Sequence, residues 1–169
     1  MLRRLRFKPK ESRRGENRSG RTCLVALDGS DASVRALVWG FRHATARGMC
    51  VEVLTVWPSH RSVFIHEVPG FSAARWSAQT AQHGAIQRAL AEVQDGPVMA
   101  SRLENADPGA AIVRASSRCD LVVLGSNSSD SSHSLTDRVL DQAACDVVVV
   151  ESSSKVVATT GLLRVLSSA

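Results

Sequence analysis

Short uninterrupted apolar runs alternate along the chain with segments whose apolar residues recur every three to four positions, the pattern of buried strands separated by amphipathic helices. Residues 23–27 form the first run, ending in Asp28-Gly29-Ser30-Asp31, a composition suited to a turn and a helix N-cap. Val34, Leu37, Val38, Phe41 and Ala44 then share one helical stripe, with Arg35 and Arg42 off it and Gly48 as the stop. Residues 51–56 read as a second strand, and Trp57 to Phe71, with Pro58, Pro69 and Gly70, as a long loop of the kind that often covers a site. From Ser72 to Asp95 the pattern is helical, with Trp76, His83, Ile86, Leu90 and Val93 on roughly one stripe and Gly96-Pro97 closing it.

Further strands are predicted over 98–103, 120–124 and 147–150. Asp107-Pro108, an N-cap aspartate with proline at the first helical position, opens a short helix through Ser117. The polar stretch Ser126 to Ser134 precedes a last helix carrying Leu135, Val139, Leu140 and Ala143. This alternation specifies a single doubly wound α/β domain with a parallel sheet, right-handed crossovers and helices on both faces.

A length of 169 residues with 44% hydrophobic composition supplies one core and is too short for two ordinary domains. No apolar run approaches the roughly 18 residues needed to span a bilayer, so the expectation is a cytoplasmic protein without membrane insertion. The net charge of +5 is concentrated in residues 1–21, which alone carry +7 and leave the rest of the chain slightly acidic. That composition predicts a basic, disordered tail over 1–21 rather than a basic folded face. Contact with nucleic acid or an anionic surface would run through this tail alone. The domain proper is expected over 22–151. Residues 152–169 start polar and turn apolar at Val156-Val157 and Leu162 to Leu166, leaving open an extra strand, a partner-binding segment or a loose tail.

Candidate chemistry is sparse. Cys23, Cys50, Cys119 and Cys145 have neither Cys-x-x-Cys pairs nor zinc-type spacing, so no metal site is expected. All four fall at the predicted starts of strands, on the edge opposite a ligand crevice, where a redox-sensitive cluster stands against four separate buried thiols. His133, Ser134 and Asp130 lie too close in sequence to suggest a catalytic triad. A lysine-bearing phosphate loop and a pyrophosphate-wrapping turn after the first strand are both missing, so no catalytic machinery is nominated.

Residues 25–30 (Val-Ala-Leu-Asp-Gly-Ser), Asp107-Pro108 with Ile112, residues 120–126 (Asp-Leu-Val-Val-Leu-Gly-Ser) and residues 144–149 (Ala-Cys-Asp-Val-Val-Val) resemble, in order and separation, the universal stress protein family. The resemblance covers about residues 23–151. It implies a five-stranded parallel sheet of order 3-2-1-4-5, usually a homodimer, with ATP bound in some members and not in others. It carries the nucleoside contacts to Asp28 and Val56, and the phosphate side to Gly125, Ser126, Ser128 and Ser134. Asp28 has a second reading as a plain turn residue before a helix. The Ser126–Ser134 loop has three: anion site, phosphorylation target or solvated connection.

Members that bind ATP carry G-x2-G-x9-G-[S/T] after the fourth strand, because glycines let backbone N–H groups reach phosphates. This chain keeps Gly125, has Ser128 at the second glycine, and at the third has Arg138 counting forward or His133 counting back from Cys145, with a loop five residues shorter. The resulting expectation is a non-catalytic stress-response binding module with weak or lost ATP binding and unknown protein partners. The alternative is an ATP-binding sensor whose occupancy controls the dimer or its partners. The homodimer is expected through the fifth strand, whose run of valines would otherwise be an open apolar edge.

Overall fold

The computed structural model describes residues 20–57, 73–126 and 135–151, together with the backbone of 156–160. The elements are β1 (Thr22–Ala26), α1 (Asp31–Arg47), β2 (Cys50–Trp57), α2 (Ala73–Ala91), β3 (Met99–Asn105), α3 (Pro108–Ser116), β4 (Leu121–Ser126), α4 (Leu135–Gln142), β5 (Asp146–Glu151) and β6 (Val156–Thr160). Five strands are parallel in the order β3-β2-β1-β4-β5, and β6 adds antiparallel to β5. The apolar runs are strands buried on both faces, as central parallel strands must be when helices cover each side.

One face packs Val25, Leu27, Val53, Val123 and Val148 against Val34, Leu37 and Phe41 of α1 and Ala85, Ile86 and Ala89 of α2. The other packs Leu24, Leu54, Val122, Leu124 and Val149 against Ile112 and Ala115 of α3 and Val139 of α4. Phe41, fully buried, is the largest of these side chains, and truncating it to alanine would cost about 3–5 kcal/mol.

Helix ends follow the sequence signals. Ser30 caps α1 by accepting from the Ser33 N–H, and Gly48 ends it in the left-handed conformation at φ 62°. Asp107 caps α3 through a 2.9 Å bond from the Ala110 N–H, with Pro108 in the first turn. The expected stripe of α2 is right in its second half and wrong in its first. Ile86 is buried and Leu90 and Val93 pack against the same core, whereas Trp76 is 63% exposed and His83 is exposed, and Gln82, Ala85 and Ala89 complete the buried face. Small alanines let α2 lie close, and Gln82 is tolerated inside because its amide donates to Thr55 Oγ1 at 3.1 Å and to the Arg102 carbonyl at 3.0 Å.

The fifth strand also differs from expectation. Its edge is filled by β6, which pairs Val147–Val150 with residues of 156–160, while 152–155 and 161–169 of the C-terminal stretch lie outside the described residues. The four valines are apolar because both their faces are buried under α1 and α4, not because an edge awaits a partner strand. The open β5 edge from which the expected homodimer route was argued is thus occupied within this chain. The tail over 1–19, the loop 58–72 and the segment 127–134 lie outside the described residues. Among the described residues no helix is long and apolar enough to cross a membrane.

Candidate functional site

β1 pairs with β4 from Cys23 to Val25, while further along the Leu27 N–H still bonds the Leu54 carbonyl of β2 at 2.9 Å. The end of β1 thus stays with β2, and its connection leaves toward α1 while that of β4 leaves toward α4. This is the point at which a doubly wound sheet opens a crevice at its carboxyl ends. Asp28 and Ser126 stand on its two sides, and Val56 lies on β2, partly buried against the α3–α4 core and opposite Glu104 of β3. Ser128 and Ser134 lie outside the described residues.

Asp28 is exposed and its Oδ1 accepts the Ser30 N–H at 2.9 Å, closing a local turn. Partial desolvation works against ionisation, but hydrogen bonding to Ser30, through its hydroxyl and N–H, outweighs it and holds the carboxyl below its usual range. Part of the start of α1 is satisfied from within: Ser33 N–H bonds Ser30 Oγ, Ser33 Oγ bonds the Ser30 carbonyl and Val34 N–H bonds the same carbonyl. Asp31 adds a second carboxylate there, with Arg88 of α2 at 3.3 Å, an exposed pair of little energetic weight. Two carboxylates beside the first turn of α1 make this side an acceptor of hydroxyl or amine donors and repel phosphate.

Gly125 has a structural reason for being glycine. A Cβ placed on it would meet the Ala32 carbonyl carbon and oxygen at 2.4 Å and the Ser33 nitrogen at 2.6 Å, so the first turn of α1 rests directly on the β4 backbone. The residue that heads the phosphate motif is thereby occupied in packing two elements together. Of the two alignments of the last glycine, the forward one falls on Arg138 inside α4, whose guanidinium holds Asp107 at 2.7 Å and covers Gly109. The backward one, His133-Ser134, directly precedes α4, the place where a phosphate turn would hand over to a helix. Asp107 is held below its usual carboxylate range by the Ala110 N–H, with slight desolvation opposing and Arg138 assisting.

Two further features escaped the sequence reading. Glu52, Arg102, Glu104 and Arg114 form a chain of ion pairs beside Val56, with Arg102 Nε 3.2 Å from Glu52 and Arg114 in contact with Glu104. The alternate charges Arg102 and Glu104 of β3, with Glu52 in β2, carry that signal. A cavity of about 570 Å³ lies at the opposite end of the sheet from the crevice, lined by Gly20, Arg21, Thr22, Ser117, Arg118, Cys119 and Asp120. The four cysteines do not gather: Cys23 is buried under α1, Cys50 is exposed, and only Cys119 and Cys145 meet. Among the described residues no group of three or more His, Cys, Asp or Glu is placed to hold a metal.

A model of the universal stress protein family matches residues 20–151. Among solved structures, a universal stress protein from Lactobacillus plantarum is 23% identical, with a TM-score of 0.61 over 79% of this chain and 99% of that one. A universal stress protein in complex with cAMP gives 18% identity and 0.58 over 78% and 97%. A universal stress protein family protein from Arabidopsis thaliana with AMP bound gives 16% and 0.55 over 78% and 91%. These likenesses establish the fold. A comparison with curated proteins finds no match.

Proposed function

Because this chain belongs to the universal stress protein family, we propose that it is a non-catalytic stress-response binding module that keeps the nucleoside end of an adenine nucleotide crevice and has lost most of its phosphate end. Asp28 accepts the sugar hydroxyls and Val56 lies against the base. The relatives solved with cAMP and AMP make the adenine nucleotide the ligand class to test. The observation that carries the reading is the seating of α1 on Gly125, which accounts for that glycine by packing alone and needs no phosphate to explain it. Ser128 and a shortened loop up to Ser134 supply hydroxyls in place of the backbone nest, and side-chain hydroxyls must be ordered before they bind.

Calorimetric titration of adenosine, AMP and ATP with Mg²⁺ onto wild type and Asp28→Ala tests this. Binding is expected to be weak, within about tenfold across the three ligands, and reduced about tenfold or more by the substitution, as for loss of a charged hydrogen bond. ATP binding at least about a hundredfold tighter than adenosine would instead establish the sensor reading, in which the serine loop rebuilds a phosphate site and occupancy controls partner contacts.

A further inference from the structure

Cys119 sits in the turn between α3 and β4, and Cys145 in the turn between α4 and β5. The parallel pairing of Leu121 with Asp146 brings these turns to the same edge, and the two sulfurs lie 3.7 Å apart. Both thiols are only partly buried, and Cys119 lines the cavity at this end of the sheet together with Arg21, Arg118 and Asp120. Closing from 3.7 Å to a bond of about 2 Å asks only for small shifts of two turns.

We propose that Cys119 and Cys145 are an oxidisable dithiol that a hydroperoxide converts to an intramolecular disulfide. This site is separate from the crevice and stands whether or not a nucleotide binds there. The Cys145 thiolate attacks the terminal oxygen of the hydroperoxide, the O–O bond breaks, and the departing oxygen leaves as water or an alcohol after taking up a proton. Cys145 is then a sulfenic acid. The Cys119 sulfur gives up its proton and attacks the Cys145 sulfur, the S–O bond breaks, and the hydroxyl leaves with that proton as water. Two thiols lose two electrons and two protons, and the peroxide takes up both.

Either sulfur can donate in the shared contact. With Cys119 as donor it lowers the Cys145 thiol from its ordinary range against burial and the charges of Asp146 and Asp120, and the same contact raises Cys119, so Cys145 acts first. Cys23 is excluded as a partner, since burial, and secondarily the charge at Cys145, push its thiol up to about 12 and it packs on the α1 face of the sheet.

The test treats the full chain with equimolar hydrogen peroxide, alkylates the remaining thiols in denaturant and maps the peptides. The expected result is a fall from four free thiols to two, one linked peptide joining Cys119 to Cys145, and recovery of all four with dithiothreitol. Cys119→Ser should leave a dimedone-reactive sulfenic acid at Cys145, and Cys145→Ser should leave Cys119 reduced at the same peroxide dose. Sulfinic acid without a linked peptide, a Cys50 link between chains as the main product, or four intact thiols would each overturn the proposal. The wild-type map decides the matter even if a variant folds poorly.

Discussion

At the carboxyl end of the sheet the polar and glycine residues already serve the fold: Asp28 closes a turn, Ser30 and Ser33 satisfy the start of α1, and Gly125 carries that helix on its backbone. At the amino end two sulfurs meet beside an open cavity, with Thr22 N–H bonded to Asp120 at 2.7 Å and the Asp120 N–H returned to the Thr22 carbonyl. The end that resembles a ligand motif is the one whose residues have structural employment, and the end without a motif holds reactive groups in contact. A motif's position in a family says where chemistry can happen; local geometry says which of its residues remain available for it.

The contrast is broken most forcefully at Gly125. Gly125→Ala puts a methyl into the backbone of Ala32 and Ser33, and the expected loss is about 3 kcal/mol or more, seen as a Tm lower by about 10 °C. An unchanged Tm would show that α1 gives way freely and that the glycine was kept for something other than packing. At the other end, peroxide treatment should raise the Tm by an amount equivalent to about 2–3 kcal/mol, since a 26-residue separation is closed, and Cys119→Ser should abolish the rise. Ser30→Ala removes the α1 cap and should cost about 1 kcal/mol in urea unfolding; a smaller loss would mean Asp28 takes over the cap.

The smallest effect is a pH effect at Asp28. Its folded carboxyl titrates below the unfolded value of about 3.9, so its stabilisation is complete above that value and disappears as pH falls through the lower, folded one. In Asp28→Asn the acid limb of urea midpoint against pH should flatten slightly. Solvent screening at this exposed site keeps the change small.

The parallel sheet was legible because apolar runs and helical stripes carry opposite periodicities, and both caps, Ser30 with its Asp28 turn and Asp107-Pro108, were written in side-chain chemistry. The face of α2 is legible only in its second half, at Ile86, Leu90 and Val93, because the alanine-rich first half offers no bulky stripe and Trp76 is exposed. β6 was left undecided because the polar residues 152–155 separate it from β5 and because the β5 valines have two explanations, an open edge or two buried faces. The shared end of the cysteines is legible in sequence, but their faces are not: strand alternation turns Cys23 toward α1 and Cys145 toward the α3–α4 side, while Cys119 reaches Cys145 from a turn. The clearance at Gly125 is tertiary, and no local pattern encodes it.

That clearance also bears on how such a site changes over generations. A glycine pinned by a neighbouring helix cannot drift when selection for a ligand relaxes, whereas the loop after it is free to shorten and trade glycine for serine. On the proposed reading the crevice would erode from one side only, and the half that remains would preserve the footing for a new loop. Grafting a longer, glycine-rich segment between Ser126 and Leu135 would leave every strand and the seat of α1 untouched, so the route back to a phosphate site runs through one insertion.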